Sequence, residues 1–295
     1  MDINIELYKI FEQVARNGSF SEAAKNLYVS QSAVSQAVKT LETKLGMPLF
    51  IRTTKKITLT PAGETLLEHV QPAIRLIQQG EHRLTHNNSL ESGSIHIGAS
   101  DTICRYFLLP YLSDFHKKYP KVSVKITNQT SFRCAELLSL GEVDCIIVNT
   151  PNSHMRPEFI LKTIGSFQDE FIAGKAYQHL KDREISLVEL PQYPIMTLDR
   201  KSTTGEFLRH LFMEKHIDLT LELEAGSSDL LLDLARIDLG IAFVPGYCVP
   251  QKSSTLFKIK TKEKLPKRHI EAVYSSLLPP SPVVKAFLDA LPSPK

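Results

Sequence analysis

Three stretches near the start of the chain place hydrophobic residues at helical spacing. The stretches are residues 7–15, 20–27 and 34–45. Apolar side chains recur in them every three or four positions, which predicts three amphipathic helices. Asn17-Gly18 ends the first helix, because glycine readily adopts the left-handed conformation at a helix C-terminus. Ser19 starts the second helix, with Glu22 three positions later as its capping-box partner.

The third helix carries small polar side chains opposite its apolar face. Its outward residues are Gln31, Ser32, Ser35, Gln36 and Lys39. A helix exposed only for solubility usually carries Glu and Lys there, whereas hydroxyls and amides can reach base edges and phosphates in a DNA groove. Two short helices and a tight turn therefore predict a helix-turn-helix with its recognition helix at 31–42. An ordinary three-helix unit with a polar outer face is the alternative.

Two β-prone segments around a basic turn follow the third helix. Residues 49–52 and 57–60 flank this turn, which predicts a β-hairpin, or wing. Arg52, Lys55 and Lys56 lie along it. Arginine can enter a minor groove and lysine can neutralise phosphates, so the wing is a second candidate DNA contact.

A long helix is predicted from residue 61 to about residue 88, with Thr60 as its N-cap and Pro61 in its first turn. Its apolar residues are spaced like the seam of a coiled coil: Leu67, Val70, Ile74, Ile77 and Leu84. Helix-turn-helix proteins commonly pair to read two half-sites, so the seam predicts a dimer contact. Packing of this helix on the C-terminal part of its own chain is the alternative.

The remainder of the chain alternates between short apolar strands and capped helices. This order is typical of an α/β domain, here with two similar lobes and a cleft between them. The chain is expected to cross between the lobes near 163–169 and again near 260–268. The expected division is residues 90–163 and 268–295 for the first lobe and 164–267 for the second.

Hydroxyl side chains stand where predicted strands give way to helices in both lobes. They are Ser100, Thr102, Thr130, Ser131, Thr203, Thr204 and Ser227. Helix N-termini at the carboxyl ends of strands offer unpaired backbone N–H groups and bind anions. Arg105, Arg133 and Lys201 are close in sequence, so we expect a small anionic metabolite in the cleft. Asp101 counts against this expectation, and any one hydroxyl could serve only as a helix cap.

The composition is typical of a globular protein, and its net positive charge is concentrated near the N-terminus. Residues 1–62 hold eight Lys and Arg against five Asp and Glu, which accounts for the whole net charge of +3. A local basic surface suits a polyanion, although a solvated charged face is the alternative. No apolar run approaches the length of a membrane span, so no membrane partner is expected.

The cysteines and histidines indicate neither a metal site nor an oxidising compartment. Four cysteines lack metal-ligand spacing, and the first residues lack a secretory pattern, so a reduced, cytoplasmic protein is expected. His82 and His86 have helical metal spacing but no third ligand. Cys104 and Cys134 would border the cleft, so a redox sensor is an alternative to ordinary buried thiols.

The segment from Gly18 to Glu64 resembles the winged helix-turn-helix of the LysR-type transcriptional regulators. The matching residues are Ala23-Ala24, Leu27, Ser30-Gln31, Ala33-Val34-Ser35, Leu41-Glu42, Leu45-Gly46, Leu49-Phe50, Arg52 and Thr60-Pro61-Ala62-Gly63. Ser32 stands where the family very often has proline, and serine can still contact phosphate. The resemblance continues more weakly over the rest of the chain. It implies a homotetramer built as a dimer of dimers, with an effector domain similar to type 2 periplasmic binding proteins.

The sequence therefore predicts a DNA-binding transcription regulator without a cofactor. Its domains are a winged helix-turn-helix at 1–60, a linker helix at 61–89 and a two-lobed α/β effector domain at 90–295. Base edges are assigned to Gln31, Ser35 and Gln36, phosphates to Ser30, Ser32, Lys39, Lys55 and Lys56, and the wing contact to Arg52. No enzyme motif is present. A stand-alone solute-binding protein would leave the first 89 residues unexplained.

Overall fold

The structure is a computed structural model that describes residues 3–52, 57–85, 90, 92–277 and 279–293. The chain divides into two compact units, residues 1–85 and 86–295. Each unit has its own hydrophobic core.

The first unit contains the predicted helix-turn-helix and its hairpin. Its elements are α1 (Ile5–Asn17), α2 (Phe20–Asn26), α3 (Gln31–Leu45), β1 (Phe50–Arg52), β2 (Ile57–Leu59) and α4 (Pro61–Thr85). Gly18 ends α1 with a φ of 59°, and the Ser19 hydroxyl accepts the backbone N–H of Glu22 at the start of α2. The antiparallel pairing of β1 with β2 confirms the hairpin.

Aromatic packing attaches this hairpin to the helices. The Phe50 ring of β1 lies 5.4 Å from the Phe11 ring of α1 and 5.9 Å from the Phe20 ring of α2. All three side chains are buried, as are Val34 and Val38 on the inner face of α3. The inner face of α3 is thereby fixed, and its opposite face remains exposed.

The predicted seam of α4 does not form one continuous free surface. Val70 and Ile74 are buried in the core of the first unit, and Leu67 packs against that core. Ile77 is exposed, and nothing is described for the side chain of Leu84. Helical periodicity correctly predicts the apolar stripe of α4. The prediction that the whole stripe contacts a second chain is wrong for its first half, which packs in the core of its own unit.

The second unit is built on two five-stranded sheets. Its strands are β3 (Ser94–Ala99), β4 (Ser123–Asn128), β5 (Cys145–Thr150), β6 (Phe159–Phe167), β7 (Asp169–Ala173), β8 (Glu184–Ile185), β9 (Ile195–Leu198), β10 (Leu221–Ala225), β11 (Ile241–Pro245), β12 (Phe257–Lys258), β13 (Lys260–Thr261) and β14 (Arg268–Ser275). Its helices are α5 (Asp101–Ile103), continued by a π-helical turn at Cys104–Leu108 into α6 (Leu109–Lys118), then α7 (Ser131–Ser139), α8 (Thr203–Glu214), α9 (Ser228–Arg236) and α10 (Pro282–Ala290). Three 3₁₀ turns complete it, at Lys175–Leu180, Leu190–Gln192 and Gly246–Cys248.

The two sheets are mixed rather than purely parallel. The sheet of the first lobe has the strand order β4-β3-β5-β14-β6, and the sheet of the second lobe has the order β10-β9-β11-β7-β12. Strands β8 and β13 pair separately. Strand β3 is parallel to β4 and β5, and β9 is parallel to β10 and β11. Strands β14 and β7 run antiparallel to their neighbours β5 and β11. Parallel pairing requires a long crossover connection, usually a helix. The segments before β7 and β14 pass directly between the lobes without a helix, so these two strands pair antiparallel.

The crossings between lobes are shorter than the sequence predicts. Strand β6 pairs with β14 along its whole length as far as Phe167, so the first lobe extends beyond the predicted limit at residue 163. Gln168 alone separates β6 from β7, and residues 262–267 form the second crossing before β14.

A buried ion pair joins the lobes where these two crossings meet. Arg268 begins β14, and its Nη1 donates to Asp169 Oδ2 at 2.9 Å and to Thr204 Oγ1 at 3.1 Å. The guanidinium lies between the rings of Phe167 and Phe207, 5.2 and 4.8 Å from their centroids. Burial raises the pKa of the Asp169 carboxyl, and the guanidinium beside it opposes that effect. Both charged side chains are completely buried.

Removing one partner of this pair should be far more damaging than removing a neighbouring exposed charge. We expect Asp169→Asn to lower the free energy of unfolding by about 3–5 kcal/mol, because it leaves a buried guanidinium uncompensated. Glu170→Gln is the matched control, since Glu170 pairs with the exposed Lys258 at 2.7 Å. That substitution should cost less than about 1 kcal/mol. Urea unfolding of both variants measures the difference, and equal losses would contradict the importance of the buried pair.

Candidate functional sites

The N-terminus of α3 presents the side chains predicted to contact DNA. Ser30 caps the helix, with its hydroxyl accepting the backbone N–H of Ala33 at 3.2 Å and lying 2.9 Å from the Ser32 hydroxyl. The predicted residues that are exposed on this surface are Ser30, Gln31, Ser32, Gln36 and Lys39, and Ser35 is half-buried. The hydroxyls, amides and one cation therefore share the face opposite the buried Val34 and Val38.

The structure describes only part of the predicted wing. Arg52 ends β1, but nothing is described for its side chain. Lys55 and Lys56 lie outside the described residues. Their assignment to the wing stays a prediction.

Tyr28 is a feature of this surface that the sequence reasoning missed. It lies in the turn just before Ser30, is 96% exposed, and has a φ of 55°. A bulky residue in the left-handed region is strained, and such strain is concentrated at functional positions. The sequence does contain a signal for this residue, because a large aromatic side chain is unusual in a short turn between two helices.

The cleft of the second unit contains a cavity of about 470 Å³. All the hydroxyl residues singled out from the sequence line it: Ser100, Thr102, Thr130, Ser131, Thr203, Thr204 and Ser227. Parallel strands end at this edge of each sheet, with β3 and β4 in the first lobe and β9 and β10 in the second. The turns after those strands bring together residues that are far apart in sequence.

Four helical segments begin at the wall of this cavity. Ser100, Thr130, Ser202 and Ser227 cap the helical segment 101–118, α7, α8 and α9 respectively, each accepting a backbone N–H through its hydroxyl. The positive ends of the helix dipoles and the remaining free N–H groups therefore converge on one space. Such an arrangement binds a carboxylate or a phosphate without a cationic side chain.

The two arginines that are close in sequence to the cavity residues form ion pairs. Arg105 lies 3.4 Å from Asp229 and 3.8 Å from Asp101, and Arg133 lies 2.8 Å from Glu136. Neither arginine lines the cavity, nor does Lys201. Among the described residues around it, the charged side chains are instead Asp101 and Asp199. Closeness in sequence therefore does not bring these side chains into the cavity: Arg105 pairs with Asp101 and Asp229, and Arg133 pairs with Glu136.

Direct contacts close the cleft between the lobes. Thr102 Oγ1 donates to Ser228 Oγ at 3.2 Å, and the Tyr106 hydroxyl donates to Asp229. Burial, followed by this hydrogen bond, raises the pKa of Tyr106 to about 12. The protonated hydroxyl is the form that donates to the Asp229 carboxylate across the cleft.

The thiols near the cleft are poorly suited to redox sensing. Cys104 is half-buried and Cys134 is fully buried. Burial raises the pKa of Cys104 to about 11 and that of Cys134 to about 12. Because the thiolate is the reactive species, both side chains are held in the unreactive form near neutral pH.

Alkylation tests this conclusion directly. Since the pKa of Cys104 rises from its ordinary value of 9.0 to about 11, its labelling by iodoacetamide at pH 8 should be about a hundredfold slower than that of a small free thiol. The same protein in urea should label at all four cysteines, which provides the control. Rapid labelling of Cys104 in the folded protein would restore the redox alternative.

Family models match both parts of the chain. The model described as the LysR substrate binding domain matches residues 88–293, and that described as a bacterial regulatory helix-turn-helix protein of the lysR family matches residues 5–64. Within the described residues, no helix combines the length and apolar composition that a bilayer crossing requires.

Curated relatives align over most of the chain. A probable RuBisCO transcriptional regulator from Emiliania huxleyi is 30% identical over 251 residues, covering 83% of this chain and 79% of the relative. The HTH-type transcriptional regulator YofA from Bacillus velezensis is 26% identical over 270 residues, covering 91% of this chain and 90% of the relative.

Solved structures share the fold at low sequence identity. A full-length OxyR variant from Pseudomonas aeruginosa is 19% identical with a TM-score of 0.68, covering 98% of this chain and 95% of that one. Full-length CbnR in complex with its target DNA is 20% identical with a TM-score of 0.64, covering 98% and 99% of the two chains.

Proposed function

This chain belongs to the LysR family of transcriptional regulators, and on that premise we propose that α3 reads its operator while a small carboxylate-bearing metabolite binds in the cleft. The family binds DNA through the helix-turn-helix and responds to an effector in the C-terminal domain. It is a family of regulators rather than enzymes. The observation that carries the ligand proposal is the convergence of four capped helix N-termini on one cavity.

The exposed face of α3 divides into two kinds of contact. Gln31, Ser35 and Gln36 hydrogen-bond base edges in the major groove. Ser30, Ser32 and Lys39 bind phosphates together with the N-terminus of the helix, and the wing adds Arg52, Lys55 and Lys56. Tyr28 extends this face at the turn, where its exposed hydroxyl can reach the backbone of the duplex.

Pairing through α4 and assembly into a tetramer are further parts of this proposal. Because Val70 and Ile74 are buried in their own unit, the paired surface uses residues beyond them, including the exposed Ile77. A cytoplasmic location, expected from the cysteines, also belongs to the proposal.

Substitutions in α3 separate sequence reading from phosphate binding. Gln31→Ala should weaken binding to operator DNA by about 1–3 kcal/mol and leave binding to scrambled DNA nearly unchanged. Lys39→Ala should weaken both and reduce the salt slope by about one. Fluorescence anisotropy across a salt series measures both, with DNA from upstream of this protein's own coding gene as the operator probe. Equal losses of Gln31→Ala on the two DNAs would contradict its role, and absence of binding at low salt would contradict the recognition helix.

A thermal-shift panel of metabolites tests the cleft. Compounds that carry a carboxylate should raise the melting temperature by mass action. Thr203→Val should reduce that rise, because Thr203 lines the cavity and the substitution removes only its hydroxyl. Thr220→Val is the control at an exposed threonine. Stabilisation by neutral or purely cationic compounds alone would contradict the proposed ligand class.

A further inference from the structure

The cavity carries separated charges of both signs. Each helix N-terminus contributes a partial positive charge of roughly one half, so the four that converge supply roughly two elementary charges. Asp101 and Asp199 supply the negative counterpart from opposite lobes. The described lining includes no lysine, arginine or histidine. The balance is therefore close to neutral, with its positive part on backbone N–H groups and its negative part on carboxylates.

The two aspartates are not equivalent. Asp101 already has Arg105 at 3.8 Å and accepts a hydrogen bond from Asn128 at 3.4 Å. Asp199 accepts the backbone N–H of Lys201 through one oxygen at 3.0 Å. Within the described part of the chain, Asp199 forms no ion pair. Of the two cavity carboxylates, Asp199 is therefore the one that is open to pairing with a cationic group of a ligand.

A second group at the wall, a hydroxyl, also lacks a partner among the described residues. Thr203 is only 4% exposed, lines the cavity at the N-terminus of α8, and its hydroxyl has no hydrogen-bond partner among the described residues. Because Thr203 lines the cavity, a ligand or a water molecule there can supply the partner that its hydroxyl lacks. The Thr203 hydroxyl at the start of α8 therefore follows closely in sequence the turn that contains Asp199.

A simple anion or a simple cation would satisfy only half of this arrangement. An anion would neutralise the helix N-termini but share the cavity with the carboxylate of Asp199, which repels negative charge. A cation would pair with Asp199 and leave the convergent N–H groups without an acceptor. The cavity volume of about 470 Å³ suits a small metabolite, and Leu198, Ala225 and Pro245 add apolar surface.

We propose that the cleft ligand is a zwitterion of the amino-acid type, with its carboxylate at the N-termini of α7 and α8 and its ammonium group at Asp199. Thr203 hydrogen-bonds the carboxylate from the α8 side. The assignment rests on the proposed function of the cleft and narrows its ligand class. It also gives a role to the acidic residues that count against a purely anionic effector.

Matched sets of compounds test the proposal on the full-length protein. Each of the twenty standard amino acids is compared with the acid that lacks its amino group and with the amine that lacks its carboxylate, by thermal shift and then calorimetry. We expect at least one amino acid to raise the melting temperature. Its two truncated analogues should bind at least tenfold more weakly.

Variants of Asp199 identify the group that binds the ammonium. Asp199→Asn should weaken the amino acid at least tenfold and bring its affinity close to that of the matched acid. Asp199→Glu should retain part of the binding. Asp182→Asn, at an exposed aspartate away from the cavity, is the control and should have no effect. The melting temperature of each ligand-free variant reports whether its fold is intact.

The outcomes separate this proposal from the function on which it rests. Stabilisation by plain carboxylates without the amino acids would overturn the zwitterion and leave the acid-binding cleft in place. A panel without any stabilising compound, together with intact operator binding, would overturn both ligand assignments and leave the DNA-binding function. Unchanged amino-acid affinity in Asp199→Asn would overturn the assignment of Asp199.

Discussion

The geometry of the second unit depends on one buried guanidinium. Arg268 contacts Asp169 and Thr204 of the other lobe, donates through Nε to the Thr150 carbonyl at 3.4 Å, and lies between two aromatic rings. Desolvating such a pair costs about as much as the attraction returns, so it adds little net stability relative to apolar packing. Its directional contacts instead specify how the two crossing segments meet. They hold the two crossing segments together between the lobes that enclose the cleft.

The same arginine connects the two crossing segments to the cavity of the cleft. Thr204 accepts from Arg268 and also lines the cavity, one position after Thr203. Gly205 follows, and a Cβ there would lie 2.3 Å from the Leu198 carbonyl oxygen, so the start of α8 is pressed against the end of β9. A ligand at this helix N-terminus therefore touches a segment that has little freedom to move alone. A displacement of the start of α8 would therefore move both the contact with Arg268 and the wall of the cleft.

Local signals in the sequence predicted more than long-range ones. The caps at Ser19 and Ser227 depend on neighbouring residues, and the cavity hydroxyls follow strands whose order is visible in the chain. By contrast, Arg268 and Asp169 are 99 positions apart, and no local pattern links them. The burial of Val70 likewise depends on where α1 lies, since periodicity reveals an apolar stripe without its partner. In the same way, the closeness of Arg105 to the cavity residues in sequence does not reveal its ion pair with Asp229.

Helix N-termini differ from cationic side chains in a way that matters for a switch. A lysine can follow its ligand by rotation, whereas the backbone N–H groups of α7, α8 and α9 move only with their lobes. A carboxylate held by α7 from the first lobe and by α8 from the second is therefore bound well only at one separation of the lobes. That dependence gives the ligand different affinities for different states of the cleft, which is the condition for shifting an equilibrium between them. Rigid donors thus make the binding of the proposed carboxylate sensitive to the separation of the two lobes, between which Arg268 forms its buried contacts.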